Sequence, residues 1–188
     1  GGVGSYVVEG LVRAGVGKLV LVDDDRIDVT NLNRQLHATL AAVGRPKVEV
    51  MCERALSINP AIELVGLRAF YLPANAEAVF DPAWDYVVDA MDTVAAKLDL
   101  VVRAQAAGVP ILSCMGTANK LDPTQLEVTD LAKTDVDPLA KIMRKELRRR
   151  GVRHLKVVYS KEAPVTPLVP EGDEAAPETS DPGVPLGR

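Results

Sequence analysis

The sequence predicts an α/β protein: a Rossmann-like, doubly wound, mostly parallel sheet with helices on both faces. Three observations carry this. A glycine-rich opening, Gly1-Gly2-Val3-Gly4-Ser5, runs straight into a helical pattern. Short apolar runs of the kind buried in parallel sheets recur at 18–22, 62–70, 84–89 and 109–113. Helical periodicity lies between them, over 47–58 and 93–107, and alternation of strands with helices demands crossover connections.

Residues 5–14 read as the first helix, with Ser5 as N-cap and Gly15 and Gly17 as its end. Lys18–Val22 is a strand that stops at three acids, Asp23, Asp24 and Asp25. The helix over 47–58 places Val48, Met51, Ala55 and Ile58 on one face and closes at Asn59-Pro60. Residues 62–70 form a strand, and Trp84–Asp89 is another that ends in acid. The helix over 93–107 is stopped by Gly108, and Val109–Ser113 follows as a strand. After Gly116 come a strand at 125–129, an amphipathic helix at 138–150 and a strand at 156–160. Leu139, Ile142, Met143 and Leu147 are expected to share that helix's apolar face. From Pro164 on, six prolines in 25 residues with many acids and no periodicity predict a mobile segment over 164–188. One domain over 1–160 is therefore expected, with a basic helical insert at about 135–155. A glycine turn of this type normally follows a buried strand, so the first strand is expected to be missing from this chain.

At 188 residues, 47% hydrophobic and 26% charged, the composition is that of a soluble globular domain. No apolar run approaches the ~18–20 residues that cross a bilayer, and no signal peptide is visible. Cys52 and Cys114 lack CxxC spacing, which argues against a disulfide framework and a cysteine zinc site and makes a cytoplasmic location the default. The net charge of −4 averages two opposed segments. Residues 141–156 hold eight Lys/Arg and one acid, and 162–188 hold six acids and one base.

Gly1 and Gly4 opening a helix offer backbone N–H groups and a positive helix end to a phosphate, although glycines there also serve plain packing. Asp23 lies about 20 residues on, the interval at which such units place an acid on a ribose hydroxyl. Past the second strand, the polar run 28–35 carries Asn31 and Arg34 where ligands bind, and a guanidinium there suits phosphate oxygens, although a lone arginine at a helix start is more often simply solvated. Lys47 opens a helix against the macrodipole preference, so a partner such as a phosphate is expected to hold it. Asp92 follows a strand end and suits Mg²⁺, or alternatively the N-cap of the next helix. A nicotinamide-dependent oxidoreductase would leave Arg34, Lys47 and Asp92 without work.

In order, GGVGS, LVDDDRIDVTNLNRQ, GRPKVEVM and VVDAMDT resemble the ubiquitin-activating-enzyme superfamily of ATP-dependent adenylating enzymes. Leu121–Gln125, Val128–Thr134 and Asp137-Pro138-Leu139 are similar to one branch, the bacterial tRNA threonylcarbamoyladenosine dehydratases, a likeness that covers residues 1 to about 168. The resemblance implies that Gly1, Gly2 and Gly4 line the ATP phosphates, that Asp23 takes the ribose and that Asp25 is a neighbouring polar contact. It implies Asn31, Arg34 and Gln35 on the phosphate side, Lys47 as the phosphate lysine and Asp92 as the magnesium acid, with Arg34, Lys47 and Asp92 catalytic. It also implies a homodimer, and it allows a monovalent cation and a sulfur-transfer protein partner.

The reaction implied is adenylation of the threonylcarbamoyl carboxylate beside the tRNA anticodon, then ring closure with loss of AMP. That chemistry needs no enzyme nucleophile. Cys52 then reads as a small buried hydrophobe, while Cys114 stands evenly between that and a role at the crevice. The basic run supports an RNA partner, with Lys141, Lys145, Arg148, Arg149 and Arg153 free for phosphates, against the alternative of a solvated charged helix face. His37 and His154 read as surface or capping residues. The family's upstream strand, N-terminal arm and apolar C-terminal segment have no counterpart here, which reads as truncation. The alternatives are an adenylating enzyme for a ubiquitin-like or sulfur-carrier protein C-terminus, an oxidoreductase, and a non-enzymatic nucleotide-binding scaffold.

Overall fold

The computed structural model describes residues 1–166, so most of the stretch read as a mobile segment lies outside the described residues. Within them the chain divides into two compact units, Gly1–Asp81 and Pro82 onward.

The first unit holds α1 (Gly2–Arg13), β1 (Lys18–Val22), α2 (Lys47–Ile58), β2 (Glu63–Leu67) and the short α3 (Ala76–Val79). β1 and β2 pair in parallel, Lys18 opposite Glu63 through Val22 opposite Leu67. α1 begins three residues before the expected start. Its N-cap is Gly1, and Ser5 lies buried inside the first turns. The Ser5 hydroxyl donates to the Gly2 carbonyl (2.9 Å), a bond inside the helix that leaves it no capping role. Gly15 ends the helix at φ +82°, a conformation that favours glycine. Val12, Ala55 and Ile62 form the core, packed by Val8, Leu19, Ile58 and Leu64, so the apolar stripes of α1 and α2 close on the strands. Glu9 ties the helices together by accepting from Arg54 Nε (2.7 Å). That guanidinium bond, before any other influence, lowers the carboxyl's pKa. A second cluster, Ile27, Ala38 and Ala42 with Leu32 and Val50, anchors the long loop between β1 and α2. β1 is half-buried along Leu19–Val22, short of the full burial its apolar run suggests.

The second unit holds β3 (Val87–Asp89), α4 (Val94–Ala106), β4 (Ile111–Cys114), β5 (Leu126–Asp130), α5 (Pro138–Arg149) and β6 (Lys156–Ser160). Its sheet runs β3-β4-β6-β5, parallel except for β5 against β6, which agrees with the mostly parallel sheet expected. α4 and α5 pack on each other, and β6 alternates, with Val157 and Tyr159 buried and Lys156 exposed. The Asp137 carboxylate caps α5 by accepting from Ala140 N (2.7 Å). The face of α5 differs from expectation: Ala140, Met143 and Leu147 are buried, whereas Ile142 is 44% exposed. The spacing i, i+3, i+7 selects one stripe, and Ile142 falls outside it. Burial pushes the thiols of buried Cys114 and half-buried Cys52 up. Among the described residues no helix is long and apolar enough to cross a membrane.

Candidate functional site

The expected glycine turn is the first turn of α1. The first intrahelical bond runs from Ser5 N to Gly1 O (3.0 Å), so the N–H groups of Gly2, Val3 and Gly4 take no part in the helix ladder. A Cβ on Gly2 would sit 3.4 Å from the Arg34 carbonyl oxygen, and Leu36 N donates to Ser5 Oγ (3.1 Å). These contacts bring the segment 34–36 onto the helix start. The Gly1 nitrogen also lies 3.4 Å from Asp23 Oδ2. The helix end, the strand-end acid and the Arg34 backbone therefore form one neighbourhood, although they are far apart in sequence.

Asp23 follows β1 directly, and its Oδ1 accepts from Asp25 N (3.0 Å). Lys47 Nζ donates to Asp25 Oδ2 at 2.5 Å, while Lys47 N donates to the Asp25 carbonyl at 2.9 Å. The lysine side chain is buried and the Asp25 side chain is 63% exposed. The Asp25 carboxylate is thus one partner that holds this cation at a helix start. It offsets the unfavourable macrodipole and keeps the ammonium extended. Asp23, Asp24 and Asp25 present carboxylate oxygens within 4.8 Å of one another.

The loop that carries Arg34 is built by local bonds. Asp28 accepts from Thr30 N and Oγ1 (both 2.8 Å), bonds that hold its carboxyl below the usual range, and Asn31 Oδ1 accepts from Asp28 N (3.1 Å). Asn31 is buried and spends its side-chain oxygen on this box. Arg34 is exposed, and its Nη1 donates to Thr30 O and Asn33 Oδ1 (both 2.9 Å). Its remaining guanidinium N–H groups face no acceptor among the described residues. Gln35 is buried, and its Oε1 has no hydrogen-bond partner among them.

His37 corrects the sequence reading most plainly. It is neither on the surface nor capping: it is 5% exposed, and neither ring nitrogen has a partner among the described residues. Burial above all, with the cations Lys47 and Arg54 and against the opposing Asp23, brings its pKa down to about 4. The folded state therefore resists protonation while the unfolded chain titrates near 6.5, so stability falls as pH drops from 6.5 towards 4. The loss is expected to reach on the order of 2–3 kcal/mol. Urea unfolding across that window should show it, and His37→Gln should flatten the profile; an unchanged slope in the variant would remove His37 as its source.

Asp92 belongs to the second unit. It is exposed and follows the carboxyl end of β3, and its carboxylate has no hydrogen-bond or ion-pair partner among the described residues. The capping alternative does not hold, because Thr93 occupies the N-cap of α4 and no side chain caps it. On α5 and just beyond it, Lys141, Lys145, Arg148 and Arg153 are exposed and without an acidic partner among the described residues. Arg149 is not free as expected: Glu146 accepts from it at 2.6 Å and from Arg150 at 2.9 Å. His154 is exposed and lies 3.1 Å from Asp130.

Residues 1–153 match the ThiF family. The chain is 46% identical over 166 residues to tRNA threonylcarbamoyladenosine dehydratase of Bacillus subtilis, covering 88% of this chain and 65% of the relative. It is 39% identical over 175 residues to the Escherichia coli enzyme of the same name, covering 89% of this chain and 65% of the relative. It therefore spans just under two thirds of these relatives' length. The crystal structure of E. coli tRNA N6-threonylcarbamoyladenosine dehydratase in complex with ATP superposes with a TM-score of 0.84 at 39% identity, over 89% of this chain and 72% of that one.

Proposed function

The chain belongs to the ThiF family, and we propose that it carries the ATP-binding part of a tRNA threonylcarbamoyladenosine dehydratase. The observation that carries this reading is the neighbourhood around the α1 start. There, unused helix N–H groups, the ribose-type acid Asp23, the Arg34 guanidinium and the Asp25-held Lys47 occur in one unit. Such a set suits a nucleoside triphosphate. Helix N–H groups and two cations meet phosphate charge, and an acid meets the ribose hydroxyls. A nicotinamide cofactor would use the turn and the acid but neither cation.

The substrate carboxylate would attack the α-phosphorus of ATP, forming the P–O bond of an acyl adenylate and breaking the bond to pyrophosphate. A nucleophilic atom of the carbamoyladenosine then attacks the activated carbonyl carbon. The ring closes, AMP departs with the carboxylate oxygen, and the net change is loss of water from the nucleoside. Arg34 and Lys47 would neutralise charge that builds on the phosphates. Asp92, in the second unit, would suit Mg²⁺ as a single exposed carboxylate, since this ion takes few protein ligands. Lys141, Lys145, Arg148 and Arg153 would meet the tRNA backbone. The homodimer, the monovalent cation, the sulfur-transfer partner and the cytoplasmic location rest on the resemblance and the sequence alone.

Incubating the full-length protein with ATP, Mg²⁺ and tRNA carrying threonylcarbamoyladenosine is expected to release AMP and yield a nucleoside lighter by one water. AMP release that required a small ubiquitin-like protein in place of tRNA would overturn this reading in favour of a protein-adenylating enzyme.

A further inference from the structure

The C-terminal end of α5 turns sharply back. Gly151 sits at φ +82°, Gly151 N donates to Arg148 O (3.1 Å), and Val152 N donates to Leu147 O (3.0 Å). These are the two bonds of a Schellman motif, and Val152 is buried beside it. The reversal brings residues 152–155 alongside the last turns of α5, and a small hollow forms within the second unit. Its lining includes buried Leu131 and Val152, and Arg144, Arg148, Arg153 and His154 stand around it.

Arg144 is fixed in place. Its Nη1 donates to Leu131 O (3.2 Å), Thr134 O (2.6 Å) and Thr134 Oγ1 (2.6 Å), which ties the preceding loop to α5. Its Nε and Nη2 hydrogens meet no acceptor among the described residues. Arg148 and Arg153 are exposed, and no acid pairs with either among the described residues. The nearby acid, Asp130, is already engaged: it lies 3.1 Å from His154 Nδ1 and accepts from Ala132 N (2.8 Å).

Charge of one sign gathered in this way costs stability. Arg144 and Arg148 are four apart on one helix, a spacing at which like charges repel. Elsewhere on the helix an acid answers such charge, since Glu146 pairs with Arg149 and Arg150. The helix dipole favours cations in the last turn, but it gives no reason for Arg153, which lies beyond the helix. Residue type points the same way. Lys141 and Lys145 stand earlier on α5, whereas arginines line the hollow, and their planar forks grip two phosphate oxygens at once.

We infer that Arg148 and Arg153, backed by the fixed charge of Arg144, form a binding site for a single phosphate group, taken by one backbone phosphate of bound RNA. This rests on the reading of the chain as part of a tRNA-binding enzyme. The hollow then gives the basic stripe one defined anchor, while the lysines act by charge alone.

Filter binding of tRNA to the full-length protein across a salt series tests it, with circular dichroism to show that each variant keeps its fold. Arg148→Gln and Arg153→Gln are each expected to weaken binding by about fivefold, and the combined variant by about tenfold, because both serve one phosphate. Independent contacts would multiply instead to about 25-fold. The salt slope of the combined variant should flatten by roughly 0.7–0.9, the worth of one phosphate and not of two. In parallel, inorganic phosphate at constant ionic strength is expected to shift the Arg144 Nε–H NMR signal in the wild type and not in the combined variant. Multiplicative losses, or none, would overturn the inference, and weakened binding by Lys141→Gln/Lys145→Gln beside them would leave the tRNA reading standing. A phosphate shift without any effect on tRNA would make the hollow a free-anion site and overturn the inference as well. Wild-type protein that failed to bind tRNA would overturn both.

Discussion

Arg34→Ala is expected to lower AMP formation by about 10²–10³-fold, the usual loss when a charged donor to a developing phosphoryl or oxyanion charge is removed. The structure lets this effect be separated from unfolding. The guanidinium is exposed and, among the described residues, bonds only within its own loop, to Thr30 O and Asn33 Oδ1. Its removal should therefore change stability by no more than about 0.5 kcal/mol, the ordinary range for surface substitutions. Arg34→Lys should recover part of the rate, because an ammonium supplies charge without the planar fork that grips two oxygens. Single-turnover rates with thermal unfolding alongside make the comparison. Unchanged turnover in the alanine variant would remove the residue from the phosphate site, whatever happened to the melting temperature.

The second large effect concerns the basic stripe. Replacing Lys141, Lys145, Arg148 and Arg153 together by glutamine is expected to weaken tRNA binding by about 10–100-fold at moderate salt. The dependence of log K on log salt should flatten by roughly 0.7–0.9 for each phosphate that no longer meets a cation. Arg149→Gln should do less, since its cation is already committed to Glu146. ATP binding should not move. Filter binding across a salt series reads both quantities, and an unchanged slope would make the stripe an ordinary solvated face. Cationic faces without RNA are common, so the slope is the better discriminator than affinity.

Much of this architecture was legible in the sequence, and the reasons differ by element. β1, α2 and β6 fall on their expected bounds because apolar patterning marks all three and the stops at Asp23 and Asn59 close the first two. α1 starts early because glycine is a poor helix former by propensity, yet at a helix N-terminus it is tolerated where a neighbour packs against it. β3 is shorter than its apolar run, since Trp84 and Tyr86 lie before the paired residues. Ile142 shows the limit of reading a helix face when several apolar residues compete for one stripe.

The site divides the same way. Residue types and their order singled out Gly1, Gly4, Asp23, Arg34, Lys47 and Asp92 as candidates, because a phosphate-bearing ligand demands N–H groups, cations and acids at strand and helix ends. Only the tertiary structure decided who holds whom. Asp25 takes Lys47 across 22 positions, Cys114 O takes Lys97 across 17, and His37 is buried among charges that its own sequence neighbours do not reveal. Sequence periodicity reports which face of a segment avoids water. The pairing of a buried charge depends on distances between segments, and those exist only once the chain has folded.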